Sequence, residues 1–308
     1  MWFQSLVNTV EFRLRNRLKL SRGRYDEPIE SKVDLFRESP ANGLEWSALE
    51  QQYVERYSLQ AFRERSSRLH YLEVLAMLKQ LETLLPVDVM QSIVSQCDGV
   101  CRWLDVGTKN GIYLAALVYY SAAYGLEVSV DGLEIDPYRL YWDGHTRKDY
   151  ADAFLKDRPN VHYRIGDVTD CSVTEALGQY HVVSSFLPFV FESPHLAWGL
   201  PLTSFRPEVY CAAVQRLVLP NGFLLVTNQG EEESRQQARL LAHSWKQSNQ
   251  SDFAGFETVF HGELSMAFIP YRHRRYGWCL QKQVRFVDND PSGQDGSVLN
   301  SQYRVCPA

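Results

Sequence analysis

The stretch Trp103-Leu104-Asp105-Val106-Gly107-Thr108-Lys109-Asn110-Gly111 is an apolar run that breaks into a loop with glycines four positions apart. A helical pattern follows it, from Gly111 to Tyr124. Gly107 permits a sharp turn and lets backbone come close to a ligand. The start of the following helix offers amides without intrahelical partners, suited to a polar or anionic group. Glycine is common at strand-to-helix turns, so the loop needs support from its surroundings.

Working outward, short apolar runs alternate with helical patterns. Strands are expected at Arg102–Val106, Val128–Ile135, Val161–Ile165, Val182–Phe186 and Phe223–Asn228. Helices are expected at Tyr138–Leu155, around Pro207–Leu217 and at about Glu232–Ser248. Strands alternating with helices indicate a parallel sheet covered on both faces. Two further strands, Phe256–Leu264 and Tyr276–Phe286, follow one another without a helix, which implies an antiparallel last strand. The expected fold is therefore α/β: a doubly wound, mostly parallel seven-stranded sheet with a reversed last strand, preceded by a helical N-terminal region.

Three carboxylates fall at three successive strand tips. Asp105 ends the first strand, Glu134 of Gly-Leu-Glu-Ile-Asp the second, and Asp167 of Gly-Asp-Val the third. In a doubly wound sheet these tips line the ligand crevice. Glu134 lies 23 positions after Gly111, near the roughly 20-residue offset at which an acid grips ribose hydroxyls. A carboxylate can accept two hydrogen bonds from a vicinal diol.

With Leu-Asp-Val-Gly-Thr-Lys-Asn-Gly, Gly-Leu-Glu-Ile-Asp, Gly-Asp-Val and Leu219-Pro220-Asn221-Gly222-Phe223-Leu224-Leu225, residues 100–285 resemble the class I S-adenosylmethionine-dependent methyltransferases. The resemblance implies S-adenosylmethionine as cofactor and S-adenosylhomocysteine as product. It implies that Asp105 orders the loop and approaches the amino-acid part of the cofactor, and that Gly107 and Gly111 let the loop pass beneath it. Glu134 would hold the ribose, Asp167 the adenine amino group, and the Val168 amide would face the ring. Thr108, Lys109, Ile135 and Ser185 complete the expected cofactor set. Lys109 departs from the family, whose commonest loop has glycine there, and this bears on cofactor affinity more than on fold.

After the fourth strand, Ser184-Ser185-Phe186-Leu187-Pro188-Phe189 lacks the asparagine of family members that methylate planar nitrogens, which disfavours DNA-adenine or glutamine methylation. The insertion from Val190 to Pro207 would cover the acceptor side. Phe186, Pro188, Phe189 and Trp198 are expected to shape the acceptor pocket. His195 and Glu192 are the general-base candidates by position, with ordinary loop polar groups as the plainer reading. Methyl transfer from a sulfonium needs mainly in-line positioning.

Composition sets the outer bounds. The chain has 308 residues, 45% hydrophobic and 22% charged, with net charge −5, which argues against a whole-surface nucleic-acid binder. The acceptor is expected to be a small molecule. No apolar run reaches the length of a membrane span; no signal peptide is recognised, and a cytoplasmic protein is expected. The six cysteines show no CxxC pair, and the eight histidines no HxxxH or HExxH spacing, so no metal site is expected.

Four regions are expected: a basic amphipathic arm (1–25), a helical subdomain (26–100), the sheet domain (101–287) and a flexible tail (288–308). In the arm, six basic residues against Glu11 leave a net charge of +5, so the remainder carries −10. Trp2, Phe3, Leu6, Val7 and Val10 have helical spacing, and near-alternation follows from Phe12 to Leu20. The favoured reading is a helix docking its apolar face on its own domain or a second subunit, which makes a homodimer contact an expectation; the other is an arm on a membrane or anionic substrate. Between 26 and 100, Trp46, Leu49, Tyr53 and Tyr57, then Leu69, Leu72, Leu75, Leu78 and Leu81, form core-facing stripes. Arg272, His273, Arg274 and Arg275 are expected on a solvated hairpin. Two alternatives to methyl transfer stay open: a non-catalytic scaffold of the same fold, and another transferase such as one moving an aminopropyl group. The second would want an acidic pocket, and residues 186–205 hold only Glu192.

Overall fold

Both faces of a seven-stranded sheet are covered, which is why its central strands read as continuous apolar runs. The computed structural model describes residues 1–37, 42–247 and 253–284. The expected tail, 288–308, and the ends of the expected last helix and strand lie outside them. The chain begins with α1 (Trp2–Leu18), then α2 (Gly43–Arg56), α3 (Gln60–Arg65), α4 (Arg68–Leu84) and α5 (Val87–Gln96). The sheet domain runs β1 (Val100–Val106), α6 (Leu114–Ala122), β2 (Glu127–Glu134), α7 (Arg147–Leu155), β3 (Val161–Ile165), α8 (Cys171–Leu177) and β4 (Tyr180–Phe186). It continues with α9 (Glu192–Ala197), a 3-10 turn at Leu202–Ser204, α10 (Pro207–Arg216), β5 (Val218–Gln229), α11 (Gly230–Gln247), β6 (Phe253–Leu264) and β7 (Arg275–Val284).

The strand order is β3-β2-β1-β4-β5-β7-β6. β1 pairs parallel with both β2 and β4, so the order reverses at β1. The last strand is reversed as expected, and it inserts between β5 and β6, antiparallel to both. Alternate residues of a strand serve opposite faces. Trp103 joins the cluster formed with Leu75, Leu78 and Leu81 of α4 and Tyr120 of α6. Its neighbour Leu104 joins the other, with Leu217, Leu224 and Leu241 beneath α10 and α11.

Several boundaries differ from expectation. The helix expected from Tyr138 starts at Arg147. Thr146 and Asp149 form a reciprocal capping box that fixes the start, and residues 137–146 are a loop closed by a Leu140–Thr146 bridge. The segment from 26 to 37 is extended and turned rather than helical. In α4 the stripe is shifted: Leu69 is 64% exposed, while Tyr71 and Val74 join Leu75 and Leu78 in the core.

The largest correction concerns α1. The near-alternation after Phe12 is a continuation of the same helix to Leu18. The helix docks by its polar side. Asn8 is buried and donates to the carbonyls of Leu196 and Leu200, both at 2.9 Å. The Leu202 amide donates to Ser5 Oγ at 3.1 Å, and Arg15 pairs with the buried Asp136 at 2.8 Å. The Leu200 carbonyl and the Asp136 carboxylate need partners, and α1 supplies them; the Leu196 carbonyl, which already accepts from the Gly199 amide at 2.9 Å, gains a second donor.

Candidate functional site

A cleft opens at the carboxyl edge of the sheet where the order reverses around β1, the position at which doubly wound sheets bind ligands. Its floor is the loop after β1. Gly107 and Gly111 have φ of 82° and 74°, and Lys109 has 54°. Lysine thus occupies the left-handed conformation that glycine adopts without steric cost. The loop is pinned on three sides: the Gly107 amide donates to Leu133 O at 2.8 Å, the Lys109 amide to Glu134 Oε2 at 2.8 Å, and Tyr163 Oη to Lys109 O at 2.6 Å. Close packing also explains Gly132, whose added Cβ would stand 2.7 Å from Leu114 Cδ1.

Asp105 lies fully buried beneath this loop. Trp103 Nε1 donates to Ser184 Oγ at 3.0 Å, and Ser184 donates to Asp105 Oδ1 at 2.7 Å. Burial pushes the Asp105 carboxyl up to about 6, against the Ser184 hydrogen bond, and the charge of Glu134 adds to the rise. Lys109 reaches into the cleft, its ammonium 4.9 Å from the Trp198 ring centre and 5.7 Å from that of Tyr113. Burial holds that ammonium below its usual range, opposed by Glu73 and reinforced by Arg147 and Arg275.

Glu134 has more partners than its sequence position suggested. Its Oε1 accepts from the Asp136 amide at 2.9 Å and from Arg147 Nη1 at 2.6 Å, in addition to the Lys109 amide on Oε2. A carboxylate has about four acceptor sites, so three are engaged. Arg147 is buried, lines the cleft, and keeps a buried Nε without a hydrogen-bond partner. Asp167 forms a local turn, Oδ1 accepting from the Thr169 amide and hydroxyl at 2.8 Å each. Its other oxygen accepts no hydrogen bond from the described residues, and the residue lines the cleft.

Of the expected site residues, Gly107, Lys109, Glu134, Ile135, Asp167 and Val168 meet around the cleft. Phe186, Pro188, Phe189, His195 and Trp198 close it from the β4 side. Asp105, Thr108 and Gly111 stand behind this surface. Ser185 turns away and bonds to Tyr210 Oη at 2.5 Å; Tyr210 is the residue at the wall. Glu192 is exposed at the start of α9 and does not face the cleft. His195 is buried, with Nε2 2.9 Å from Pro201 O, which makes that nitrogen a donor. Burial lowers its pKa, which favours the neutral ring.

Sequence reasoning missed Arg147, Tyr210 and a group on the α4 side. There Glu73 Oε2 and Arg275 Nη1 are buried without hydrogen-bond partners. Arg275, expected in a solvated hairpin, is 9% exposed and lies 4.6 Å over the Tyr271 ring. At the opposite edge of the sheet, Cys97, Cys101 and His181 bring ligand-type atoms within 4.8 Å of one another. The β1–β4 pairing creates this grouping from positions with no metal-ligand spacing. His181 Nδ1 already accepts from the Arg102 amide at 3.0 Å, which leaves Nε2 as the protonated nitrogen and closes the ring to a metal in this state.

No protein-family model matches the chain, and no curated protein matches it. Solved structures do. The chain is similar to a putative class I S-adenosylmethionine-dependent methyltransferase from Listeria monocytogenes (14% identity, 73% of this chain and 62% of that one, TM-score 0.45). It is similar to an S-adenosylmethionine-dependent methyltransferase from Aquifex aeolicus (14%, 68% and 96%, 0.42). It is also similar to TrmN from Thermus thermophilus (13%, 63% and 48%, 0.39), so it spans about half the length of that protein.

Proposed function

We propose that this chain binds S-adenosylmethionine in the cleft after β1 and transfers its methyl group to an oxygen or nitrogen of a small-molecule acceptor. The observation that carries the reading is convergence: Glu134 and Asp167, from the tips of β2 and β3, line one cleft whose floor is a tight glycine turn, with Asp105 of β1 buried under that turn, at the reversal of strand order. The polar atoms fit the cofactor's parts. Asp105 offers a buried negative charge toward a cofactor ammonium. Glu134 has one acceptor site left and Arg147 Nε one unused donor, a matched pair for ribose hydroxyls. The unengaged oxygen of Asp167 suits an amino group, and the buried Val168 suits a flat apolar ring.

When bound, S-adenosylmethionine would supply an electrophilic methyl group to a lone pair of the acceptor's oxygen or nitrogen. The chain's own work is to orient and to exclude water. Phe186, Pro188, Phe189 and Trp198 give the acceptor side an apolar wall, and α1 braces α9 from outside. A donor Nε2 makes His195 a positioning group for the wall between α9 and the turn at 202–204. Glu192 has no place in this reading. No described helix is long and apolar enough to cross a membrane.

One observation favours the non-catalytic alternative: the Lys109 side chain occupies the cleft beside Trp198. Calorimetric titration with S-adenosylmethionine and S-adenosylhomocysteine separates the two. Binding to the wild-type chain is expected, weakened by on the order of 1–3 kcal/mol in Glu134→Ala and in Asp167→Ala, with circular dichroism confirming the fold of each variant. A folded wild-type chain that binds neither compound, together with binding gained in Lys109→Gly, would establish the scaffold instead.

A further inference from the structure

Amphipathic helices at a protein surface normally turn their apolar side inward; α1 does the reverse. Asn8, Ser5 and Arg15 hold it to the domain, and Trp2, Phe3, Leu6, Val10, Leu14 and Leu18 point to solvent. Trp2 is 78% and Phe3 70% exposed. The polar contacts fix the helix in this orientation, so the apolar stripe is a standing feature of the surface. Stripes of this size mark interaction sites.

The charge pattern says what covers it. Arg13, Arg17 and Lys19 are exposed along the same stretch, and none has an acidic partner among the described residues. The acid of α1, Glu11, is more than half exposed and lies 3.5 Å from Arg15, whose charge offsets it. Next to the end of α1, the loop 137–146 adds a second apolar projection. Trp142 at its tip is fully exposed and Leu140 more than half so. Arg22 ties this loop to the arm through the Asp143 carbonyl, and Arg15 anchors the helix at Asp136. Apolar side chains among arginines and lysines, with a tryptophan beside them, match the boundary of an anionic bilayer: hydrocarbon takes the stripe, headgroup phosphates the cations, and tryptophan the interface. A second copy of the chain seated there would set arginine against arginine.

We propose that the outward face of α1, with the Trp142 loop, docks the protein on an anionic lipid surface. The test is sedimentation of the full chain with large vesicles of phosphatidylcholine alone or mixed equally with phosphatidylglycerol. At low ionic strength the bound fraction should be at least about tenfold higher on the anionic vesicles, and it should fall as salt screens the charges. The double variant Leu6→Glu/Val10→Glu should lose the binding. Arg13→Glu/Arg17→Glu should lose the preference for anionic lipid. These side chains are exposed, so both variants should keep the wild-type circular dichroism and unfolding midpoint. No binding to either vesicle, or equal binding to both, would overturn the proposal. So would a dimer in analytical ultracentrifugation that Leu6→Glu/Val10→Glu disrupts while vesicle binding is absent, which would assign the face to a second copy.

Discussion

Arg147→Met is expected to lower the free energy of unfolding by about 3–5 kcal/mol, the cost of leaving a buried ion-pair partner uncompensated. Arg147 is 5% and Glu134 2% exposed, and the 2.6 Å bond between them is shielded from solvent. Two backbone amides also donate to Glu134, but amides supply hydrogen bonds without a full positive charge. Methionine keeps much of the volume of the side chain and removes the charge, so a loss of this size reports electrostatics more than a cavity. Arg147→Lys should recover only part of it, because an ammonium does not reproduce the guanidinium geometry. Pairing Arg147→Met with Glu134→Leu should recover most of the loss, since an apolar replacement of a whole buried pair is often near neutral. Urea unfolding of the four chains closes a double-mutant cycle. A coupling energy below about 0.5 kcal/mol would show that the pair does not stabilise the fold.

That pair also shows where sequence and structure part. Asp105, Glu134 and Asp167 were legible because each sits at the end of a strand candidate set between helical patterns, and strand tips of a doubly wound sheet share one edge. Arg147 was hidden because an arginine early in a helix reads as a solvated charge. Its burial depends on where that helix starts, and the Thr146-to-Asp149 capping spacing was the available sign. α1 was misread for a related reason. Apolar periodicity shows that a helix has two faces, but which face docks depends on what the opposing surface lacks. Here that surface presents the carbonyls of Leu196 and Leu200 and the carboxylate of Asp136, formed by loops whose shape no local pattern records. Cys97, Cys101 and His181 meet only through strand pairing and were equally out of reach. Lys109 was half legible: the sequence marks it as a departure, while the cost of its left-handed backbone and its place beside Trp198 belong to the structure.

Asp105→Asn should make the ligand-free protein more stable at pH 7 and a poorer cofactor binder. Burial raises the folded pKa of this carboxyl to about 6, above the ordinary 3.8. The folded chain therefore holds its proton more tightly than the unfolded chain does. Between pH 4 and 6 the folded state carries the extra proton, so stability falls as pH rises through that window and levels off above it. The shift corresponds to about 3 kcal/mol at order of magnitude, present below pH 4 and absent by pH 7. Asparagine keeps the shape, cannot ionise, and should remove this part of the pH dependence. The difference between variant and wild type should grow from near zero at pH 4 to the order of 2–3 kcal/mol at pH 7, read as urea midpoints along a pH series. Binding should move the other way. A cofactor ammonium favours the ionised carboxylate, so wild-type affinity for S-adenosylhomocysteine should climb through pH 6, and the asparagine variant should lack that climb. Stabilisation together with lost affinity would identify Asp105 as a charge kept buried for a cationic ligand at the expense of the fold. Stability of the variant parallel to wild type from pH 4 to 7 would mean that Asp105 ionises normally beneath the loop, and would remove the buried charge from the binding account.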